Sequence, residues 1–135
     1  MTLPVRIPQT YQAQADLFRV LSHPVRLAIV SVLKDGEQCV CHMEAILGLR
    51  QSYISQHLMV LREAGLVQDR RAGWNVFYRI TRPQVRRLSE ALSALGGTHS
   101  TKSVRARPPI TCPCPKCAQQ RPAQHATRSE RHEHC

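Results

Sequence analysis

Apolar residues recur at helical spacing over most of the chain, and the spacing changes once. Tyr11, Ala15, Phe18 and Leu21 form a stripe that predicts a first helix near 10–21. Pro24 suits the first position of a second helix, with Ser22 or His23 before it as cap. Val25, Ala28, Ile29, Val32 and Leu33 make one face of that helix. Leu27 and Val30 add apolar surface elsewhere, the pattern of a central, buried element. Asp35-Gly36 ends it. A short helix over about 41–47 closes at Gly48. The next, from about Ser52 to Ala64, closes at Gly65 and turns Ile54, Leu58 and Leu61 inward. Then the period shortens. Leu66 to Arg71 and Asn75 to Ile80 read as short strands of a hairpin around Ala72-Gly73. Pro83 opens a last helix lined by Val85, Leu88, Leu92 and Leu95, and Gly96-Gly97 stops it. This order predicts a mainly α fold with a small β-hairpin, a winged helix-turn-helix.

Composition divides the 135 residues into an N-terminal arm (1–9), a folded domain (10–97) and a tail (98–135). Residues 1–97 carry 12 Lys+Arg against 7 Asp+Glu, and the much shorter tail carries 7 against 2. Val104 and Ile110 are the tail's only large apolar side chains, and prolines punctuate it from Pro108 to Pro122. Such a segment is expected to stay disordered unless a metal gathers its cysteines. The formal charge of +10 points to an acidic partner, with nucleic acid foremost. Aromatics at 4% disfavour an RNA-binding sheet that stacks bases. No run is apolar enough to span a bilayer, and Met1 to Gln9 has no apolar secretory core. The expected compartment is the cytoplasm, where the six cysteines act as ligands or redox groups rather than as a disulfide framework.

Three sets of residues carry candidate chemistry. The helix after Gly48 would lie in the major groove of DNA, presenting Gln51, Ser52, Tyr53, Ser55, Gln56 and His57 near its start. Gln bonds adenine bidentately, Ser bonds bases or phosphates, and Arg50 beside them suits a phosphate. Arg70, Arg71 and Asn75 flank the hairpin tip, where a wing touches the backbone or minor groove, while Trp74 either packs at the wing base or meets DNA. The second set is Cys39 and Cys41 at the start of the short helix. Positions i and i+2 share a side only where the backbone is extended or unwound. The bland alternative for the pair is two small buried hydrophobes. His42 beside them is expected to cap the short helix or face water. The third set is Cys112, Cys114 and Cys117, whose C-x-C-x-x-C spacing suits a soft metal; His132, His134 and Cys135 read as a solvated terminus. No nucleophile–base pair, phosphate loop or paired carboxylates stand out, so an enzyme is not expected.

The runs Leu17-Phe18-Arg19-Val20-Leu21-Ser22-His23-Pro24-Val25-Arg26-Leu27, Cys39-Val40-Cys41 and Ile54 to Val67 resemble the ArsR/SmtB metalloregulators over roughly residues 10–96. The resemblance implies a homodimeric repressor that occupies an inverted-repeat operator on double-stranded DNA when metal-free and leaves it when metal binds. It also implies a dimer interface on the first and last helices, where Phe18, Leu21, Val85, Leu88, Leu92 and Leu95 form apolar stripes. Some positions depart from the family pattern. Arg50 replaces a capping Ser, His23 an acidic cap, and Trp74-Asn75 a basic-then-aromatic pair.

Cys39-Val40-Cys41 stands at the inducer motif of the family's thiol-using members, and the arsenic-sensing branch is the nearest match. That branch has a third Cys where this chain has Glu44. The arm, residues 1–21, lacks the cysteines of the cadmium and lead sensors. Residues 84–97 lack the His and Asp of the zinc and nickel sensors. The missing ligand is therefore sought in the tail, the other protomer, His42 or solvent. As(III) or Sb(III) is the expected inducer, with Cd(II), Pb(II) or Zn(II) as further candidates. Two other readings stand beside this one: a thiol redox-sensing repressor, and a cysteine-rich metal chaperone or store.

Overall fold

One all-apolar helix at the centre sets the arrangement of the rest. The computed structural model describes residues 6–96. In chain order it contains α1 (Gln9–Leu21), α2 (Pro24–Leu33), β1 (Gln38–Cys39), α3 (Val40–Leu47), α4 (Gln51–Glu63), β2 (Val67–Ala72), β3 (Asn75–Ile80) and α5 (Pro83–Leu95). Helix α2 buries Ile29, Val30, Val32 and Leu33, while Leu27 is partly exposed at its rim. Met43 of α3, Ile54, Leu58 and Leu61 of α4, and Leu66 and Val67 close the same core. Leu21 of α1 and Val85 of α5 also face this core. Among the described residues no helix is long and apolar enough to cross a membrane.

Local signals explain the boundaries. His23 is the cap of α2: its Nδ1 accepts the Val25 N–H at 3.2 Å, and Pro24 occupies the first turn, where no N–H is needed. Gly48 ends α3 in the left-handed region (φ 65°). After α4 the Leu66 N–H reaches the Leu61 carbonyl at 2.9 Å and the Gly65 N–H reaches that of Arg62 at 2.9 Å. This is a Schellman closure, and Gly65 (φ 70°) supplies its left-handed residue. Ser52 does not cap α4. Arg50 is the N-cap residue and gives no side-chain hydrogen bond.

The hairpin turns at Gly73-Trp74 rather than Ala72-Gly73, one residue later than its pattern suggests, with Ala72 opposite Asn75. A third strand joins it. β1 pairs antiparallel with β3, Cys39 opposite Phe77, giving the order β1-β3-β2. Two residues are too few to show alternation, so nothing in the sequence marks them as a strand.

The core makes a direct prediction. Leu58→Ala removes a fully buried side chain and should cost about 2–5 kcal/mol in denaturant unfolding. Met59→Ala, on the outer face of the same helix, should stay within about 0.5 kcal/mol. Equal losses for the two variants would show that the inward and outward faces of α4 are wrongly assigned.

Candidate functional site: a reading helix, a wing and a thiol pair

Helix α4 has one dry stripe, so its remaining faces are available to a partner. Ile54, Leu58 and Leu61 anchor it, and Gln51, Ser52 and Gln56 are exposed. Ser55 is half-buried. Met59 lies three residues beyond Gln56 on the same exposed side, an outward apolar position that reasoning from polar residue types passes over. The exposed Arg50 precedes a first turn with no acidic residue.

His57 is not on this outer face. Its ring lies 4.4 Å from that of His23, and Tyr53 meets it edge-on at 4.7 Å. The three rings join the reading helix to the cap of α2. His57 Nε2 and Arg26 Nε are buried there with no hydrogen-bond partner among the described residues. Burial first, then the neighbouring His23 and Arg26, hold the His57 pKa below its ordinary value. The folded state thus binds this proton less readily than the unfolded state does. Its contribution to stability is full above about pH 6.5 and is lost as pH falls through the lower folded value. We expect unfolding free energy to rise between pH 5 and 7.5, and His57→Gln to flatten that rise. An unchanged slope in the variant would assign the pH dependence to other groups.

The wing carries three arginines with different surroundings. Arg70 is held by the Glu37 carboxylate, with its Nε 3.2 Å from one oxygen and Nη2 bonded to the other. Its guanidinium also lies over the Phe77 ring, 5.1 Å from the centroid. Arg70 is thereby fixed between β2 and the segment before β1, and a phosphate would have to share it with Glu37. Arg79 bonds Gln68 across the hairpin at 3.2 Å. Arg71 is exposed and makes no ion pair among the described residues. Asn75 is half-buried beside the tip. Trp74 does not pack at the wing base. It stands at the tip, 89% exposed.

The thiol pair sits where the wing meets the helix-turn-helix. Cys39 is at once the last residue of β1 and the N-cap of α3, with extended backbone (φ −83°, ψ 160°). Its Sγ accepts the His42 N–H at 3.3 Å. That extended residue followed by a helical turn brings the Sγ atoms of Cys39 and Cys41 to 2.8 Å without unwinding α3. Cys39 is 2% exposed and packs with Phe77, Cys41 and Ala72 in a cluster separate from the main core. Cys41 is disulfide-bonded, whereas Cys39 retains its thiol. His42 neither caps α3 nor faces water. Cys39 is the cap, and His42 is buried. Glu44 is exposed.

Two sulfurs on one side of the chain suit a soft, thiophilic ion once both are thiolates. In a tetrahedral chelate with bonds of about 2.3 Å, two sulfurs lie about 3.8 Å apart, so this pair would have to open by about 1 Å. Among the described residues no group of three or more His, Cys, Asp or Glu side chains is placed to hold a metal. Cys112, Cys114, Cys117, His132, His134 and Cys135 lie outside the described residues.

A short helix, a glycine turn, a helix with one buried stripe and a basic wing define a winged-helix DNA-binding regulator, not an enzyme. Residues 23–69 match the family described as bacterial regulatory proteins of the arsR family. The chain is 46% identical over 81 residues to the biofilm growth-associated repressor of Agrobacterium fabrum, covering 60% of this chain and 69% of that protein. It is also 46% identical over 67 residues to the arsenical resistance operon repressor of Escherichia coli K12, covering 49% and 57%. The crystal structure of the repressor BigR from Xylella fastidiosa superposes with a TM-score of 0.64 at 38% identity, over 67% of this chain and 93% of that one. The chain belongs to the ArsR/SmtB family of transcriptional repressors.

Proposed function

We propose that this repressor binds an inverted-repeat operator as a homodimer in the cytoplasm and is released when a thiophilic metalloid, As(III) or Sb(III), engages Cys39 and Cys41. The 2.8 Å approach of their sulfurs at the N-cap of α3 carries the reading. Gln51, Ser52, Ser55 and Gln56 meet base edges, Arg50 and Arg71 meet phosphates, and Tyr53 lies at the edge of the reading face. Asn75 and Arg70 border the wing contact. The ion supplies a bond to each thiolate. The chain supplies the consequence: Cys39 can no longer accept the His42 N–H on the same terms, so the start of α3 must readjust. The third thiolate in this proposal comes from Cys112, Cys114 or Cys117. Cd(II), Pb(II) and Zn(II) are weaker candidates for so sulfur-rich a donor set.

One observation favours a second reading. Cys41 is disulfide-bonded, which fits a repressor released by thiol oxidation. The metalloid reading requires Cys41 reduced. The two readings separate in one experiment. Release of a fluorescein-labelled operator duplex is followed by anisotropy, with arsenite under reducing conditions and with peroxide alone. Cys39→Ser with Cys41→Ser should keep DNA binding and abolish release by arsenite. Release by even a hundredfold needs about 2.7 kcal/mol of coupling, within the ordinary range for allostery. Truncation after Gly97 should raise the arsenite needed for half-release. Release by peroxide and none by arsenite would replace the metalloid reading with the redox one.

The dimer rests on the outer faces of α1 and α5. Phe18 is 53% exposed and Leu95 81% in the single chain, with Leu88 and Leu92 half-buried between that face and the core. Leu21 and Val85, buried within the chain, support that face from beneath. Phe18→Glu with Leu95→Glu should sediment as a folded monomer and bind duplex at least tenfold more weakly, because each copy then holds a single half-site. A wild-type monomer with tight operator binding would remove the dimer from the proposal.

A further inference from the structure

We infer that Trp74, at the tip of the wing, is a DNA-contacting residue that places its indole edge-on in the minor groove beside the half-site read by α4. The inference rests on the DNA-binding function of the family and adds a contact of different chemistry, apolar and at a distance from the reading helix.

The tip is built to hold such a side chain out. Strands β2 and β3 have six residues each, so the tip stands roughly 20 Å beyond the strand ends at Val67 and Ile80. The turn is two residues long, and Gly73 at φ 61° supplies the left-handed position that a primed hairpin turn requires. Trp74 has no part in that requirement, since such turns favour Gly, Asn, Asp or Ser. It is nevertheless the largest side chain the code offers, placed where 89% of it meets water. An indole carries about 150–250 Å² of mostly apolar surface and one N–H donor. A surface of that kind is normally covered in its working state.

The neighbours indicate what covers it. Exposed Arg71 precedes the turn with no ion pair among the described residues, while the other charged groups of β2 are already paired, Asp69 with Arg62 and Arg70 with Glu37. An apolar ring beside one uncommitted cation matches a nucleic-acid groove, whose walls are deoxyribose and whose rims are phosphate. The B-DNA minor groove is about 6 Å wide, enough for a flat ring entering by its edge. Its floor presents acceptors to the indole N–H. The short, glycine-fixed turn holds the ring in place before contact, which lowers the ordering cost of binding.

Trp74 is the single tryptophan of the chain, so native emission reports on it alone. A 40-bp duplex enriched from a random pool on the full-length protein, labelled with fluorescein, provides an independent signal of binding by anisotropy. As the complex saturates, tryptophan emission should change, and its quenching by acrylamide should fall by half or more. Trp74→Ala should weaken binding about tenfold, the scale of one aromatic contact with nucleic acid, with an unchanged salt slope. Trp74→Phe should recover part of the loss. Arg71→Ala should instead reduce the log–log salt slope by about one, as loss of a phosphate contact does. Saturating anisotropy with tryptophan emission and acrylamide access both unchanged would overturn the inference while leaving DNA binding intact. Emission that changes with protein concentration alone, and no further with DNA, would assign Trp74 to a second copy of the chain and overturn it equally. No rise in anisotropy at low salt would overturn the DNA-binding reading itself, and this inference with it.

Discussion

The burial of one stripe of α4 against α2 is the contact on which the rest of the structure depends. Ile54, Leu58 and Leu61 are fully buried, and they lie on the same core as Ile29, Val30 and Leu33. Each such side chain contributes about 1.5–3 kcal/mol by leaving water. Because the stripe is narrow, the rest of the helix can stay polar at no cost to the core. A reading helix needs this division: rigid attachment on one side and hydrogen-bonding side chains on the other. The flanking glycines complete it. Gly48 fixes where α3 stops and Gly65 fixes where the chain leaves α4 for the wing.

Both ends of this platform are held by side chains that also carry the chemistry of interest. The cap of α2 is His23, whose ring lies against His57 of the reading helix. The cap of α3 is Cys39, whose sulfur touches Cys41. In each case a residue able to change its charge or its bonding holds a helix start. A helix cap is worth about 1 kcal/mol, so a change at either site is felt by the backbone without unfolding the domain. Few-kilocalorie changes of this size are what a repressor must turn into occupancy or release.

Much of the fold was legible in the sequence, for identifiable reasons. Five helices and a hairpin follow from apolar spacing and from glycine and proline punctuation, signals that act locally. Misreadings occurred where side-chain type was taken as a guide to direction. His57 is polar, yet the helical period places it beside the buried stripe, where it meets His23. His42 is polar, yet it lies in the first turn of an eight-residue helix between buried Val40 and Met43. Trp74 is apolar, yet the turn throws it into solvent because the two-residue loop falls at Gly73-Trp74. Strand β1 escaped because pairing with β3 is a tertiary fact that two residues cannot announce. Within the candidate site, the cysteine pair was visible by type, and the extended cap that makes the pair converge was not. Arg70 was legible as a wing cation, but its partner Glu37 lies 33 positions away.

Strand β3 explains how the thiol pair and the wing come to share one structure. Its alternation sends Phe77 to one face and Tyr78 and Ile80 to the other. Tyr78 and Ile80 pack against the main core, so the strand is fixed to the same core as α4. Phe77 instead covers Cys39 and supports the Arg70 guanidinium. Arg70 returns through Glu37 to the segment that leads into β1 and Cys39. This circuit of Cys39, Phe77, Arg70 and Glu37 is closed, and it lies on the face of the sheet away from the core. A change in volume or position at the Cys39 sulfur therefore meets Phe77 before it meets any residue of the main core. The thiol site can act on the wing at little cost to the folded domain, because the side chains it displaces are not those that hold the domain together.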